Sequence, residues 1–176
     1  MAIGEVGLDY YYQPKNKEQR KEYRQKQWNT LSQQVDLALE LDLPVIFHCR
    51  VAFPDLLSFI TEKQTGKLKG VIHSYTGDSE LAKQFTDLGM YIGFNGLIFK
   101  DVASLPNPEE VIANIPLDRI VLETDAPYLV PPEAGVERNE PSFVQYVAKE
   151  IARIKKEELS VVAKETTQNA KTLFGI

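Results

Sequence analysis

Short apolar runs alternate along the chain with polar loops and segments of helical periodicity. The first run, Ala2-Ile3-Gly4-Glu5-Val6-Gly7-Leu8, breaks into Asp9, three tyrosines (Tyr10 to Tyr12) and Gln13-Pro14. A long helix is predicted from Lys17 to Leu41, with Asn16 as N-cap. Within it Trp28, Leu31, Val35, Ala38 and Leu39 step by three or four, so they form one apolar stripe that ends at Asp42. Pro44 opens the second run, Val45-Ile46-Phe47-His48, and a helix follows over Pro54 to Lys63. The third run is Gly70-Val71-Ile72-His73; its helix covers Ser79 to Leu88 and is stopped by Gly89. The fourth run is Met90 to Phe94, followed by a looser stretch and a short helix over Glu109 to Asn114. The fifth run spans Arg119 to Asp125. After a proline-rich loop the tail divides into three predicted helices, Pro141–Ile154, Lys156–Glu165 and Thr167–Phe174.

Five apolar runs, each followed by helix, indicate an α/β fold with a parallel sheet. The runs are nearly continuous in apolar residues, as strands covered on both faces require. No repeat or low-complexity linker divides the chain, so residues 1–176 read as a single domain.

The polar residues that interrupt the pattern fall in a telling place. Glu5 is read as ending the first run, His48 the second, His73 the third and Asp125 the fifth, each at the C-terminal end of a buried strand. Strand C-termini of a parallel α/β fold converge on one face, where sites are built. Taken singly, a histidine at a strand end reads as a satisfied histidine, and an acid after an apolar run reads as a loop cap. Two imidazoles and two carboxylates on one rim read instead as ligands of one or two divalent ions, Mg²⁺, Mn²⁺ or Zn²⁺. Cys49 is the single cysteine and should point away from His48, because side chains alternate along a strand.

Arg50, two residues beyond His48, returns to the same side and suits a phosphate, or is a surface arginine. Tyr10 to Tyr12 wall the site or stack on a base. Arg138-Asn139-Glu140-Pro141 reads as a helix start, with Asn139 as N-cap and Pro141 in the first turn; Arg138 beside it suits an anion.

Composition narrows the function. With 20 Lys+Arg against 25 Asp+Glu the net charge is −5, so no basic coat exists for a polyanion, and a local patch or bound cations would have to supply the positive field. One cysteine excludes a disulfide framework. No run is long enough to span a bilayer. Glu5 and Asp9 interrupt any signal-peptide core, so the expected compartment is the cytoplasm.

Five strings are recognisable together: Gly4-Glu5-Val6-Gly7-Leu8-Asp9-Tyr10-Tyr11, Pro44-Val45-Ile46-Phe47-His48-Cys49-Arg50, Val71-Ile72-His73-Ser74-Tyr75-Thr76-Gly77, Glu123-Thr124-Asp125-Ala126-Pro127-Tyr128-Leu129 and Arg138-Asn139-Glu140-Pro141. In order and spacing they resemble the TatD family of metal-dependent deoxyribonucleases. The resemblance implies a TIM (β/α)8 barrel, divalent ions at its C-terminal face and hydrolysis of DNA phosphodiesters, with single-stranded DNA the favoured substrate. It makes Glu5 a bridging ligand, His48 and His73 ligands of one metal, and Asp125 a ligand of the other that holds the attacking water. Glu5 and Asp125 are thereby the catalytic pair, with Arg50 and Arg138 toward the substrate phosphate.

The family begins with a strand carrying a His-x-His pair, which has no match here. A (β/α)8 barrel takes ~250 residues, so 176 residues hold five to six units. The expectation is an incomplete barrel holding the fourth to eighth units, binding one metal and cutting DNA weakly or not at all. Its inner face should meet water unless something covers it, and its open edges should favour a homodimer, a swapped arrangement or low stability. Two other readings share the residues: an amidohydrolase-type enzyme for a cyclic amide or ester, and a non-catalytic metal- or partner-binding fragment.

Overall fold

The computed structural model describes residues 1–176. The five runs form one parallel sheet in sequence order: β1 (Ile3–Asp9), β2 (Val45–Arg50), β3 (Gly70–Ile72), β4 (Tyr91–Phe94) and β5 (Ile120–Leu122). Parallel neighbours need long crossovers, and helices supply them. The crossovers carry α1 (Lys17–Glu40), α2 (Phe53–Lys63), α3 (Ser79–Asp87) and α4 (Pro108–Asn114), and two further helices, α5 (Val144–Lys155) and α6 (Leu159–Phe174), follow β5. None of these helices is long and apolar enough to cross a membrane.

Local signals act as the sequence predicts at several ends. The Asn16 side chain accepts the Glu18 and Gln19 N–H groups at 2.9 and 3.1 Å, fixing the start of α1. Leu31, Val35 and Ala38 then lie fully buried along its stripe. Gly89 follows α3 with φ +83°, a left-handed conformation that glycine adopts without steric cost.

Strand alternation sorts the side chains. Val45, Phe47, Cys49, Ile72, Ile92, Phe94 and Ile120 face the helices and join the main core. The opposite phase holds Ile46, His48, Val71, His73, Tyr91, Gly93, Val121 and Glu123, on what would be the inside of a barrel. β1 carries a bulge between Gly4 and Val6, so Glu5 is an extra residue in the ladder with β2. The extra residue lets Ile3 and Val6 both pack on the core although they are three apart. Gly7 is required here because a β-carbon on it would lie 1.8 Å from the His48 carbonyl oxygen.

One expectation needs correction. The tail holds two helices rather than three, since Lys156–Glu165 and Thr167–Phe174 belong to α6 apart from its leading turn. Thr166 does not break it: its hydroxyl donates to the Val162 carbonyl oxygen at 2.8 Å and is satisfied inside the helix. The inner face is not left to water where Val71, Tyr91 and Val121 lie, 3, 9 and 5% exposed. Continuous α6 reaches far enough to lay Leu173 and Phe174 against them. β1 and β5 remain the two edges of the sheet, each paired on one side.

Candidate metal centre

The rim at the C-terminal ends of the strands brings all four predicted donors into one chain of contacts. Glu5 Oε1 lies 2.6 Å from His48 Nδ1. The other oxygen of Glu5 lies 3.8 Å from His73 Nε2, and Asp125 Oδ1 lies 3.7 Å from that same nitrogen. Glu5 comes from the β1 bulge, His48 from β2 two residues before its end, His73 from just beyond β3, and Asp125 from three residues beyond β5. Asp125 sits at φ +58° and Ser74 at φ +47°. Left-handed backbone at non-glycine residues stores strain, and such residues cluster at functional sites.

Residues outside the predicted set hold the histidines. His73 Nδ1–H donates to Glu123 Oε2 at 2.7 Å, and the Ser74 N–H donates to Glu123 Oε1 at 2.6 Å. Asn95, 1% exposed, donates to the Ser74 hydroxyl at 2.9 Å while its own carbonyl oxygen accepts the Leu97 N–H at 3.0 Å. Gly93 leaves room for this carboxylate, since a β-carbon there would sit 3.0 Å from Glu123 Cδ. His48 Nε2 has Asp9 Oδ2 at 3.3 Å. The Asp9 backbone is fixed by reciprocal hydrogen bonds with the Gln27 amide of α1, at 2.8 and 2.9 Å.

Charge follows this geometry. The hydrogen bond from His48 holds the Glu5 carboxyl below its usual range, against burial, with the charges of His73 and His48 adding to it. The same bond raises His48, opposed by burial. Burial pulls His73 down, but the hydrogen bond to Glu123 and the charges of Glu123, Glu5 and Asp125 carry it up to about 9.

The donors fit a divalent ion in chemistry. Glu123 occupies Nδ1 of His73, which leaves Nε2 facing two carboxylate oxygens, a mixed nitrogen and oxygen set suited to Mg²⁺, Mn²⁺ or Zn²⁺. The set is not a closed shell, because no three His, Cys, Asp or Glu side chains are spaced to hold one ion together. Cys49 takes no part: it faces the core, and burial pushes its thiol up to about 12.

Of the two predicted phosphate arginines, Arg50 stacks its guanidinium over Tyr11, 3.7 Å from the ring centroid, at the mouth of the rim. Arg138 is exposed on the loop after β5. Asn139 is not the N-cap of a helix. It is 3% exposed, and its amide donates to the carbonyl oxygens of Thr124, Tyr128 and Leu129 at 2.7, 2.6 and 3.1 Å. It therefore ties down the loop that carries Asp125, and the turn at Pro141–Phe143 starts without a side-chain cap. A cavity of about 550 Å³ lies apart from the donors, beneath residues 96–107, between Phe94, Phe99, Val111 and Ile154.

The uncharacterized metal-dependent hydrolase YabD of Bacillus subtilis (strain 168) is 38% identical over 177 residues, covering 100% of this chain and 66% of its own. The 3'-5' ssDNA/RNA exonuclease TatD of Klebsiella pneumoniae (strain 342) is 35% identical over 181 residues, 100% of this chain and 65% of its own. The chain thus spans just under two thirds of the length of these relatives. Among solved structures, the TatD homolog YJJV from Escherichia coli K12 superposes with a TM-score of 0.85 at 28% identity, over 99% of this chain and 64% of that one. The match to the family described as TatD related DNase runs over residues 1–175, through the bulge of β1, both histidines and the loop of Asp125, and the chain belongs to that family.

Proposed function

We propose that this chain carries the metal-ligating rim of a divalent-metal-dependent hydrolase that cuts phosphodiester bonds in single-stranded nucleic acid. The observation that carries this is His73, whose Nδ1 is engaged by Glu123 while Nε2 faces Glu5 and Asp125. Two relatives support it by their names, one a metal-dependent hydrolase and one a 3'-5' ssDNA/RNA exonuclease.

Glu5, His48, His73 and Asp125 would hold one or two divalent ions. A bound ion supplies Lewis acidity toward a phosphoryl oxygen and lowers the pKa of its water toward ~7. Asp125 orients the attacking water and takes its proton, from a backbone position that the Asn139 tether fixes. Glu123 keeps the imidazole of His73 in one tautomer and orientation. Arg50, at the mouth, faces the negative charge of the phosphate.

The test is hydrolysis of a single-stranded oligonucleotide by the purified chain with Mg²⁺, Mn²⁺ or Zn²⁺, against chelator, a duplex and a small cyclic amide. Weak metal-dependent release of nucleotides, abolished by His73→Ala and Asp125→Asn, is the expected result. Hydrolysis of the amide with the oligonucleotide untouched would overturn the proposal.

A further inference from the structure

The aromatic side chains that are largely exposed are Tyr11, Tyr12 and Tyr128, at 55, 72 and 71%. All three lie on loops that leave the C-terminal ends of β1 and β5, beside the donor rim. Their neighbour Tyr10 shows that burial is available in the same segment. It is 5% exposed, and its hydroxyl donates to Asp55 Oδ2 at 2.8 Å and accepts from the Trp28 indole N–H at 3.2 Å. Tyr10 thus anchors the loop to the core, and Tyr11 and Tyr12 are turned outward from that anchor.

The outward pair packs ring against ring. Their rings meet edge to face, with centroids 4.7 Å apart and planes at 86°. The Arg50 guanidinium lies 3.7 Å from the Tyr11 centroid and 5.6 Å from that of Tyr12. The group is joined to the donors by short links. The Tyr11 N–H donates to Asp9 Oδ1 at 2.8 Å, and the other oxygen of Asp9 is 3.3 Å from His48 Nε2.

We infer that Tyr11, Tyr12 and Arg50 form a stacking shelf that takes an unpaired nucleobase of a single-stranded nucleic acid next to the donor rim. This rests on the nuclease proposal above and assigns the grip on the strand to these three residues. Aromatic rings and guanidinium planes are sequence-tolerant platforms for unstacked bases. Bases within a duplex already cover each other's faces, so the shelf selects single strands. Electrostatics points the same way: Glu5, Asp9, Glu123 and Asp125 crowd the rim and the chain carries a net charge of −5, so a grip based on phosphates alone would be opposed. Stacking on a ring beside one arginine attracts a strand without a basic groove.

The experiment is anisotropy of a labelled single-stranded oligothymidylate, measured in chelator so that the strand survives, alongside an abasic strand of equal length. The native chain should bind the base-bearing strand more tightly than the abasic one. Tyr11→Ala and Tyr12→Ala should each lose about ten-fold in affinity for the base-bearing strand, with little change for the abasic strand. Tyr12→Phe, which keeps the ring, should bind as the native chain does. Equal affinity for both strands, or no loss in the alanine variants with their melting transitions intact, overturns the shelf. Metal-dependent hydrolysis of a small base-free phosphodiester by the same preparation reports separately on the nuclease proposal.

Discussion

Glu123 and His73 meet through a 2.7 Å contact between a carboxylate oxygen and Nδ1, and this contact decides which imidazole nitrogen is left for an ion. Replacing the carboxylate by Glu123→Gln keeps the volume but weakens the hold on the tautomer. The expected outcome is a 10- to 100-fold loss of metal affinity, the usual scale for such supporting partners, read by titration calorimetry. Gly93→Ala should act in the same direction, because its β-carbon would press on the Glu123 carboxyl at 3.0 Å. Unchanged affinity in both variants would show that the contact has no such role.

His73 also gives the pH dependence a sign. Its value rises from 6.5 unfolded to about 9 folded. Its contribution to stability is therefore full below about 6.5 and is lost as pH climbs through about 9. Glu5 is shifted the other way, from 4.5 to a lower folded value, so its contribution is present above about 4.5 and is lost on acidification through that lower value. In chelator, the urea midpoint should fall on the alkaline side, and His73→Gln should flatten that limb. A midpoint that rises between pH 7 and pH 9 contradicts the assignment.

Asn139→Ala should be costly although the residue touches no donor. Its amide satisfies three carbonyl oxygens of one loop while buried. A buried polar group left unpaired costs about 1–3 kcal/mol; these acceptors are only part-buried, so the loss should fall toward the lower end, which urea denaturation resolves. A change within experimental error would mean that water replaces the amide.

Gly7→Ala is expected to be more severe. Its β-carbon would lie 1.8 Å from the His48 carbonyl oxygen, and backbone of the paired strand has little room to retreat. Overpacking a core costs about 1–3 kcal/mol, and the backbone clash here should exceed it. Soluble expression and the melting temperature are the readouts, and a native-like melt would refute the prediction.

Cys49 should be silent toward thiol reagents in the folded protein. It is 5% exposed, and burial raises its thiol to about 12. Labelling by a disulfide reagent should therefore follow unfolding. Rapid modification of the native chain would place the side chain elsewhere.

Much of this architecture was legible in the pattern of the chain. His48, His73 and Asp125 were visible because apolar runs give strand ends and parallel strands send their ends to one rim; Glu5 was read as a strand end too, but it reaches the rim from a bulge four residues before the end of β1, which no local pattern announces. The facing of Cys49 into the core followed from alternation alone. Glu123 was not visible, because its side depends on the phase of β5, and a strand of three residues leaves that phase open. Asn139 was misread because helix-start signals are local, while its three acceptors lie 10 to 15 residues back along a loop without periodicity. The continuity of α6 was hidden by Thr166 and Thr167, poor helix formers in isolation that packing overrides. The cover over Val71, Tyr91 and Val121 was hidden with it, since two short helices would not have carried Leu173 and Phe174 that far.

The Asn139 amide staples the two ends of the β5–α5 loop together. Arg138 is the residue before it, exposed and carrying a permanent charge, while Asp125 follows the Thr124 carbonyl held by that same amide. One buried side chain thus keeps a surface cation and the rim carboxylate on a single closed loop, although thirteen positions of chain separate them.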